Sequence, residues 1–296
     1  MKKIKKFYHH HLARPIYSTI KPLQPILKFK KRTFFDKFKV KIEGGKRFWL
    51  YNNAYFWDTE LFWQGFERLK YENRTREVWC FLAERSKVIF DIGANTGWFS
   101  MMAKAYNRNA KIFAFEPQPN IYKVLKKNNE INDFNICCEQ LALSDQKGKL
   151  PFYNTGDTTF SNINTMHGSL NMAWRTKGQK SISVEVSRLD SYIEKNDIPS
   201  IDLMKIDVET LEYEVLIGYG EFLHKHLPIL ILEIQNEKIG TDIGSVLGNK
   251  YTYYWIDEEV GLIEVSHLGR NNDQENRNYL LCPNRKKNLI MEFVSE

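Results

Sequence analysis

Four cysteines in 296 residues, Cys80, Cys137, Cys138 and Cys282, make no Cys-x-x-Cys pair and have no histidine at metal-ligand spacing. Neither a disulfide framework nor a zinc module is therefore expected, and free thiols in a reducing cytoplasm fit the count. No apolar run approaches the roughly 18 residues of a membrane-spanning helix. The opening Met-Lys-Lys-Ile-Lys-Lys imitates the charged start of a signal peptide, but Phe7 to Ile20 then holds three histidines, Arg14 and Pro15. That is no apolar h-region, so secretion is not expected. Gly-x-Gly-x-x-Gly is missing, which disfavours a dinucleotide, and Gly-Lys-Ser/Thr is missing, which disfavours a nucleoside triphosphate. There is no internal repeat and no low-complexity segment.

What is present is a core of ordinary size, with 43% hydrophobic and 14% aromatic residues, and a charge that is unevenly spread. Residues 1–48 hold twelve lysines and three arginines against Asp36 and Glu43, a local +13, so the rest carries −6 of the chain's +7. The sequence divides accordingly into a basic arm (1–48), an aromatic-rich helical lead-in (49–86) and a Rossmann-like domain (87–296). Pro15, Pro22 and Pro25 forbid one long helix in the arm. Phenylalanines interleaved with its charges suit an anionic membrane surface or a protein partner, whereas a solvated tail is the plain alternative. A cytoplasmic protein, peripheral at most to the inner face of a membrane, is the expectation. Nine aromatics between Phe48 and Phe66 are expected to be mainly buried, with one or two lining a substrate mouth.

Val88 to Ser100 reads as an apolar strand ending in Asp91, a glycine turn (Gly93, Gly97) and a helix. Further strands are expected over 111–115, 134–142, 148–153, 181–186, 202–208 and 228–234, with 251–256 and 279–282 as a closing antiparallel pair. Helices are expected over 76–84, 119–129, 189–196 and 212–224. The polar stretch 154–180 reads as an insert of the length that usually carries function. Four strands finish at or beside an acid: Asp91, Glu116, Asp207 and Glu233. Such acids can merely cap the following helices, but four on adjacent strands would line the edge where doubly wound sheets bind ligands. A phosphate-free ligand with a ribose diol and a cationic centre suits an acidic rim, with Glu116 accepting from the diol. S-adenosylmethionine has those features.

Asp91-Ile-Gly-Ala-Asn-Thr-Gly97, Phe115-Glu-Pro117, Ala142-Leu-Ser-Asp145, Leu189-Asp-Ser-Tyr192 and Lys205-Ile-Asp-Val-Glu209 with Glu212 together resemble the FkbM-family methyltransferases over roughly residues 70–290. The resemblance implies a class I methyltransferase fold, with a seven-stranded, mostly parallel sheet and an antiparallel closing strand, that binds S-adenosylmethionine. It implies methyl transfer to a hydroxyl of a sugar, glycan or glycolipid-type small molecule. Asp91, Gly93, Ala94, Asn95, Thr96 and Gly97 would cradle the methionine end. Glu116 and Pro117 would hold the ribose, and Gln140, Leu141 and Ala142 would lie by the adenine. The family's Glu-Gly-Ala-Glu is Glu209-Thr-Leu-Glu212 here, and because β-branched Thr210 resists positive φ, that loop is expected to take another shape.

An alcohol acceptor must lose a proton, so a carboxylate or histidine within reach is required. Asp207 and Glu209, at i and i+2, would share a face if the strand continued that far, with Lys205 paired to Asp207 or Asp91. Asp207 or Glu209 is the candidate base and Glu233 supports it; His167 is a weaker candidate. The acids could ligate a metal, but no spacing calls for one. An RNA methyltransferase, suggested by the +13 segment, and a catalytically degenerate binding module are the alternatives. The first lacks an RNA-binding module, and nucleic acid is not the expected partner.

Overall fold

The computed structural model describes residues 7–28, 30–53, 55–155, 168–171, 179–269 and 277–295. A helical turn over Tyr8–Leu12 runs into α1 (Ala13–Ile20), and a turn at Lys21–Leu23 leads to α2 (Gln24–Leu27). Pro22 and Pro25 each open a new segment, where a missing N–H costs nothing. The chain then forms a hairpin, β1 (Phe35–Lys41) with β2 (Arg47–Asn53), in antiparallel register from Phe35↔Asn53 to Lys41↔Arg47. Residue 48, the expected end of the basic arm, falls inside β2. The arm's Tyr17, Phe34, Phe38 and Val40 are buried in one apolar cluster with Leu61 and Trp63 of α3 (Phe56–Gln64) and with Trp79 of α4 (Asn73–Glu84).

The main sheet starts with β3 (Val88–Ile92), α5 (Trp98–Tyr106), β4 (Lys111–Phe115), α6 (Pro119–Ile131) and β5 (Ile136–Glu139). Here the expected strand 134–142 divides. β5 stops at Glu139, and Ala142–Leu143 (β6) enters a second sheet by pairing in parallel with β9 (Gln179–Ser187). That sheet has the order β6-β9-β7-β8, with β7 at Gly148–Thr155 and β8 at Gly168–Ser169. Most of the 154–180 insert, His167 included, lies outside the described residues.

The chain returns through α7 (Leu189–Lys195) to β10 (Leu203–Ile206) beside β3, then α8 (Glu212–Tyr219), α9 (Phe222–His226) and β11 (Ile229–Glu233). The helix expected over 212–224 is thus two. Gly220 breaks it at φ 58, ψ −140, and the Arg188 guanidinium donates to the Ile217 carbonyl (3.1 Å) at the end of the first. Then come α10 (Glu237–Leu247), β12 (Tyr251–Asp257), β13 (Gly261–Val265) and β14 (Asn278–Pro283). The order is β13-β12-β14-β11-β10-β3-β4-β5. β14 runs antiparallel between β11 and β12, the expected closing pair. The sheet has eight strands rather than seven, because β12 turns back into β13, whose Leu262 is fully buried.

Both faces of the sheet are dry, as a parallel sheet requires. Ile89, Ile112, Leu203 and Ile229 point to one core, and the next residues, Phe90, Phe113, Met204 and Leu230, point to the other. The hairpin covers the first face, and α6 closes its free edge: the Asn132 and Asn128 carboxamides accept the Trp49 and Tyr51 N–H groups at 2.6 and 2.8 Å. Outward from β3 the chain goes to β4 and β5, then comes back to β10. This switch point between β3 and β10 opens a crevice at the carboxyl ends of the strands.

Candidate active site

The crevice is a cavity of about 560 Å³, and all four strand-end acids line it. Its floor is the glycine turn. The N–H groups of Gly93 and Ala94 donate to the Phe115 carbonyl at 3.0 and 2.9 Å, tying the turn to β4. Gly93 has φ 78, and a Cβ there would sit 1.9 Å from the Asp207 carbonyl oxygen, so only glycine lets the exits of β3 and β10 meet. Asn95 takes φ 53 and its side chain accepts the Thr96 N–H (2.8 Å), local bonding that suits asparagine to the left-handed region. Residues 93–96 line the cavity; Gly97 does not. With φ 87, Gly97 turns the chain into α5 instead.

Glu116 is almost wholly buried, and its two oxygens accept N–H groups from Asn95 (3.0 Å) and Gln118 (2.8 Å). Burial pushes its carboxyl up to about 7, against the pull of those two bonds. Pro117, Leu141, Ala142 and Leu143 continue the wall, but exposed Gln140 stands outside it. Asp91 is raised by burial, with Lys205 and the Ser100 hydroxyl, which donates to Asp91 at 2.5 Å, acting in opposition.

Lys205, 4% exposed, pairs with Asp207 at 2.7 Å and lies 4.6 Å from the Phe99 ring centroid. Burial lowers its pKa, but Asp207, Glu72 and Asp91 more than reverse that, and the net direction is up. One buried ammonium thus serves three carboxylates. β10 ends at Ile206 rather than at 208, so the condition for Asp207 and Glu209 to share a strand face is not met. Glu209 instead turns toward Glu233, and both accept the Gln235 amide, at 3.0 and 3.2 Å. Glu233 is pushed up to about 7 by burial and by Asp207 and Glu209, while Arg277, 3.8 Å away, pulls the other way.

The expectation for Thr210 is overturned. Glu209 and Thr210 have φ 56 and 84, so threonine occupies the conformation that glycine would favour. The second sheet holds it there: Asn171 donates to the Thr210 hydroxyl at 2.9 Å, and the Ser169 hydroxyl donates to the Glu209 carbonyl at 2.8 Å. Such strain persists where surrounding structure over-determines it.

The remaining wall comes from residues 55–72, which precede every strand of the main sheet. Tyr55, Trp57, Asp58, Tyr71 and Glu72 all line the cavity. Trp57 stacks on Tyr71 (4.1 Å), which stacks in turn toward Trp98 (6.2 Å). Asp58 is 1% exposed, its Oδ2 meets no donor among the described residues, and burial pushes it up to about 8. In sequence it looks like an ordinary acid in a helix's first turn, and nothing in Phe-Trp-Asp-Thr-Glu marks it as buried. Among the described residues no group of three or more His, Cys, Asp or Glu is arranged to hold a metal ion. The four cysteines are free thiols.

Residues 91–253 match the model of the methyltransferase FkbM domain. The chain is similar to methyltransferase sdnD of Sordaria araneosa, 34% identical over 156 residues, which cover 45% of this chain and 60% of that protein. It is similar to 2-O-methyltransferase NoeI of Sinorhizobium fredii, 28% identical, covering 51% of this chain and 64% of that one. The 31-O-demethyl-FK506 methyltransferase FkbM of Streptomyces tacrolimicus is 29% identical, with 56% and 72% covered. The match thus spans less than two thirds of the first two relatives.

Proposed function

Because the chain belongs to the FkbM-domain methyltransferase family, we propose that it is an S-adenosylmethionine-dependent O-methyltransferase acting on a hydroxyl of a sugar, glycan or glycolipid-type small molecule. The observation that carries this reading is Glu116. Two backbone N–H groups fix its buried carboxylate on the cavity wall, and each oxygen keeps a lone pair for a ribose hydroxyl. The residues present fit the cofactor. A volume of about 560 Å³ suits a ligand of that size. Two buried polar atoms of the lining, Asp58 Oδ2 and Trp98 Nε1, have no partner among the described residues. Asp91 and residues 93–96 would hold the methionine end, Glu116 and Pro117 the ribose, and Leu141 to Leu143 the adenine. When bound, the cofactor supplies an electrophilic methyl group on a sulfonium.

Positioning the acceptor hydroxyl and removing its proton fall to this chain. Asp207 is committed to Lys205. Glu233 is better placed. Its elevated pKa lets it exist as carboxylate near neutral pH and still bind the proton it receives, and Gln235 couples it to Glu209. The Trp57–Tyr71 stack offers aromatic faces to the C–H side of a sugar ring. The names of NoeI and FkbM, each specifying transfer to an oxygen, support a hydroxyl acceptor. The acceptor comes from solution or from an anionic surface beside the basic N-terminal segment.

Incubation with methyl-tritiated S-adenosylmethionine and separate pools of free sugars, lipid-linked glycans and total RNA tests the reading. Alkali-stable label in a sugar fraction is expected. Label confined to RNA would overturn it.

A further inference from the structure

Ten large hydrophobic side chains of the described residues are exposed, and six of them, Phe7, Leu12, Ile16, Leu23, Ile26 and Leu27, fall within the first 27 residues. They are not the surface of a loose tail. α1 buries Ala13 and Tyr17, and Tyr17 packs on Trp63 of α3 with centroids 5.5 Å apart. Arg14 pairs with Asp36 at 2.6 Å, and the His10 ring stacks on Phe35 at 4.7 Å. A helix so fixed should show water a polar face. α1, α2 and the turns that precede them instead present aliphatic side chains at helical spacing, Leu12 and Ile16, then Leu23, Ile26 and Leu27, with Ile26 76% and Leu27 63% exposed.

The segment is basic, although Arg14 pairs with Asp36 and Lys31 with Glu60. No acid precedes Asp36, and residues 1–35 hold eight lysines and two arginines. Lys28 and Lys30 are exposed at the end of α2. We propose that residues 7–28, with Lys30, lie flat on an anionic phospholipid surface, with the aliphatic side chains at the acyl boundary and the basic residues among the headgroups. Short helices with an apolar face and a basic surround bind bilayers in that way. A second copy of the chain would set one basic segment against another. A nucleic acid would leave the aliphatic face uncovered. No helix of the described residues is long and apolar enough to cross the membrane, so the contact is interfacial. α3, which α1 grips through Trp63, also lends Trp57 and Asp58 to the cavity. The surface contact and the methyl-transfer site therefore share one helix. Docking of this face is independent of what the cavity binds.

Sedimentation of the full chain with vesicles tests it. Binding is expected to phosphatidylcholine–phosphatidylglycerol vesicles and not to phosphatidylcholine alone. The Ile26→Ser/Leu27→Ser double variant alters exposed positions only and should melt at the unchanged temperature, yet lose about tenfold or more in partitioning. Free glycerophosphoglycerol should not displace the wild type, which separates a bilayer from a headgroup site. Equal binding of variant and wild type, or no binding to the anionic vesicles, would overturn the proposal. So would self-association in their absence that the double substitution abolishes.

Discussion

Replacing Asp58 by asparagine should make the protein more stable, most clearly above neutral pH. Asp58 is 1% exposed, and burial moves its carboxyl from 3.8 up to about 8. At acid pH both folded and unfolded chains hold the proton. From about pH 4 upward the unfolded chain loses it while the folded chain keeps it until about pH 8. Stability therefore falls across that window and levels off above it. At roughly 1.4 kcal/mol per pH unit, the loss is on the order of 5 kcal/mol. Glu116 and Glu233, both raised from 4.5 to about 7, act in the same direction, whereas Glu84 and Asp190, held below the usual carboxylate range by Lys46 and Arg188, act in the opposite one. Asp58→Asn keeps the shape and removes the titration, and the difference between the two proteins isolates this one group. Urea unfolding at pH 4.5 and at pH 9 measures it. The variant should gain over the wild type between the two pH values by several kcal/mol. Parallel pH dependences would refute the assignment of Asp58 as a carboxyl kept neutral by burial.

Lys205→Met leaves Asp207, Asp91 and Glu72 without their shared cation and should cost about 3–5 kcal/mol at pH 7; an unchanged denaturation midpoint would contradict the pairing. Thr210→Gly relieves the strain of φ 84 but loses the Asn171 hydrogen bond, and a net gain of about 1 kcal/mol is expected in urea. A loss would mean that the hydrogen bond outweighs the strain. Glu233→Gln should lower kcat about 100-fold or more and abolish the rise in activity with pH through about 7, with cofactor affinity unchanged. Retained turnover would shift the base to Glu209.

The frame of this molecule is legible in its residues because apolar runs ending in acids carry both strand and site information. Asp91, Glu116, Asp207 and Glu233 converge on one edge as their strand ends imply. What sequence could not supply are facts of tertiary environment. Glu139 and Ala142 are three residues apart yet belong to different sheets, because β6 takes its partner from β9, more than forty residues later. Thr210 obeys contacts from Ser169 and Asn171 rather than its own preference. Asp58 and Tyr71 enter the cavity because the hairpin and α3 pack over the sheet, and no local pattern encodes that packing. The charge split puts the end of the basic arm at residue 48, inside β2, since composition changes gradually where hydrogen bonding does not.

Calorimetric titration of the folded chain with S-adenosylmethionine, beside Glu116→Ala, bears most directly on the central claim. The wild type should bind, and the variant should bind about 2 kcal/mol more weakly, the loss expected for charge-assisted hydrogen bonds to a ribose diol. Absence of binding to the folded wild type, or equal affinity in the two proteins, would contradict it.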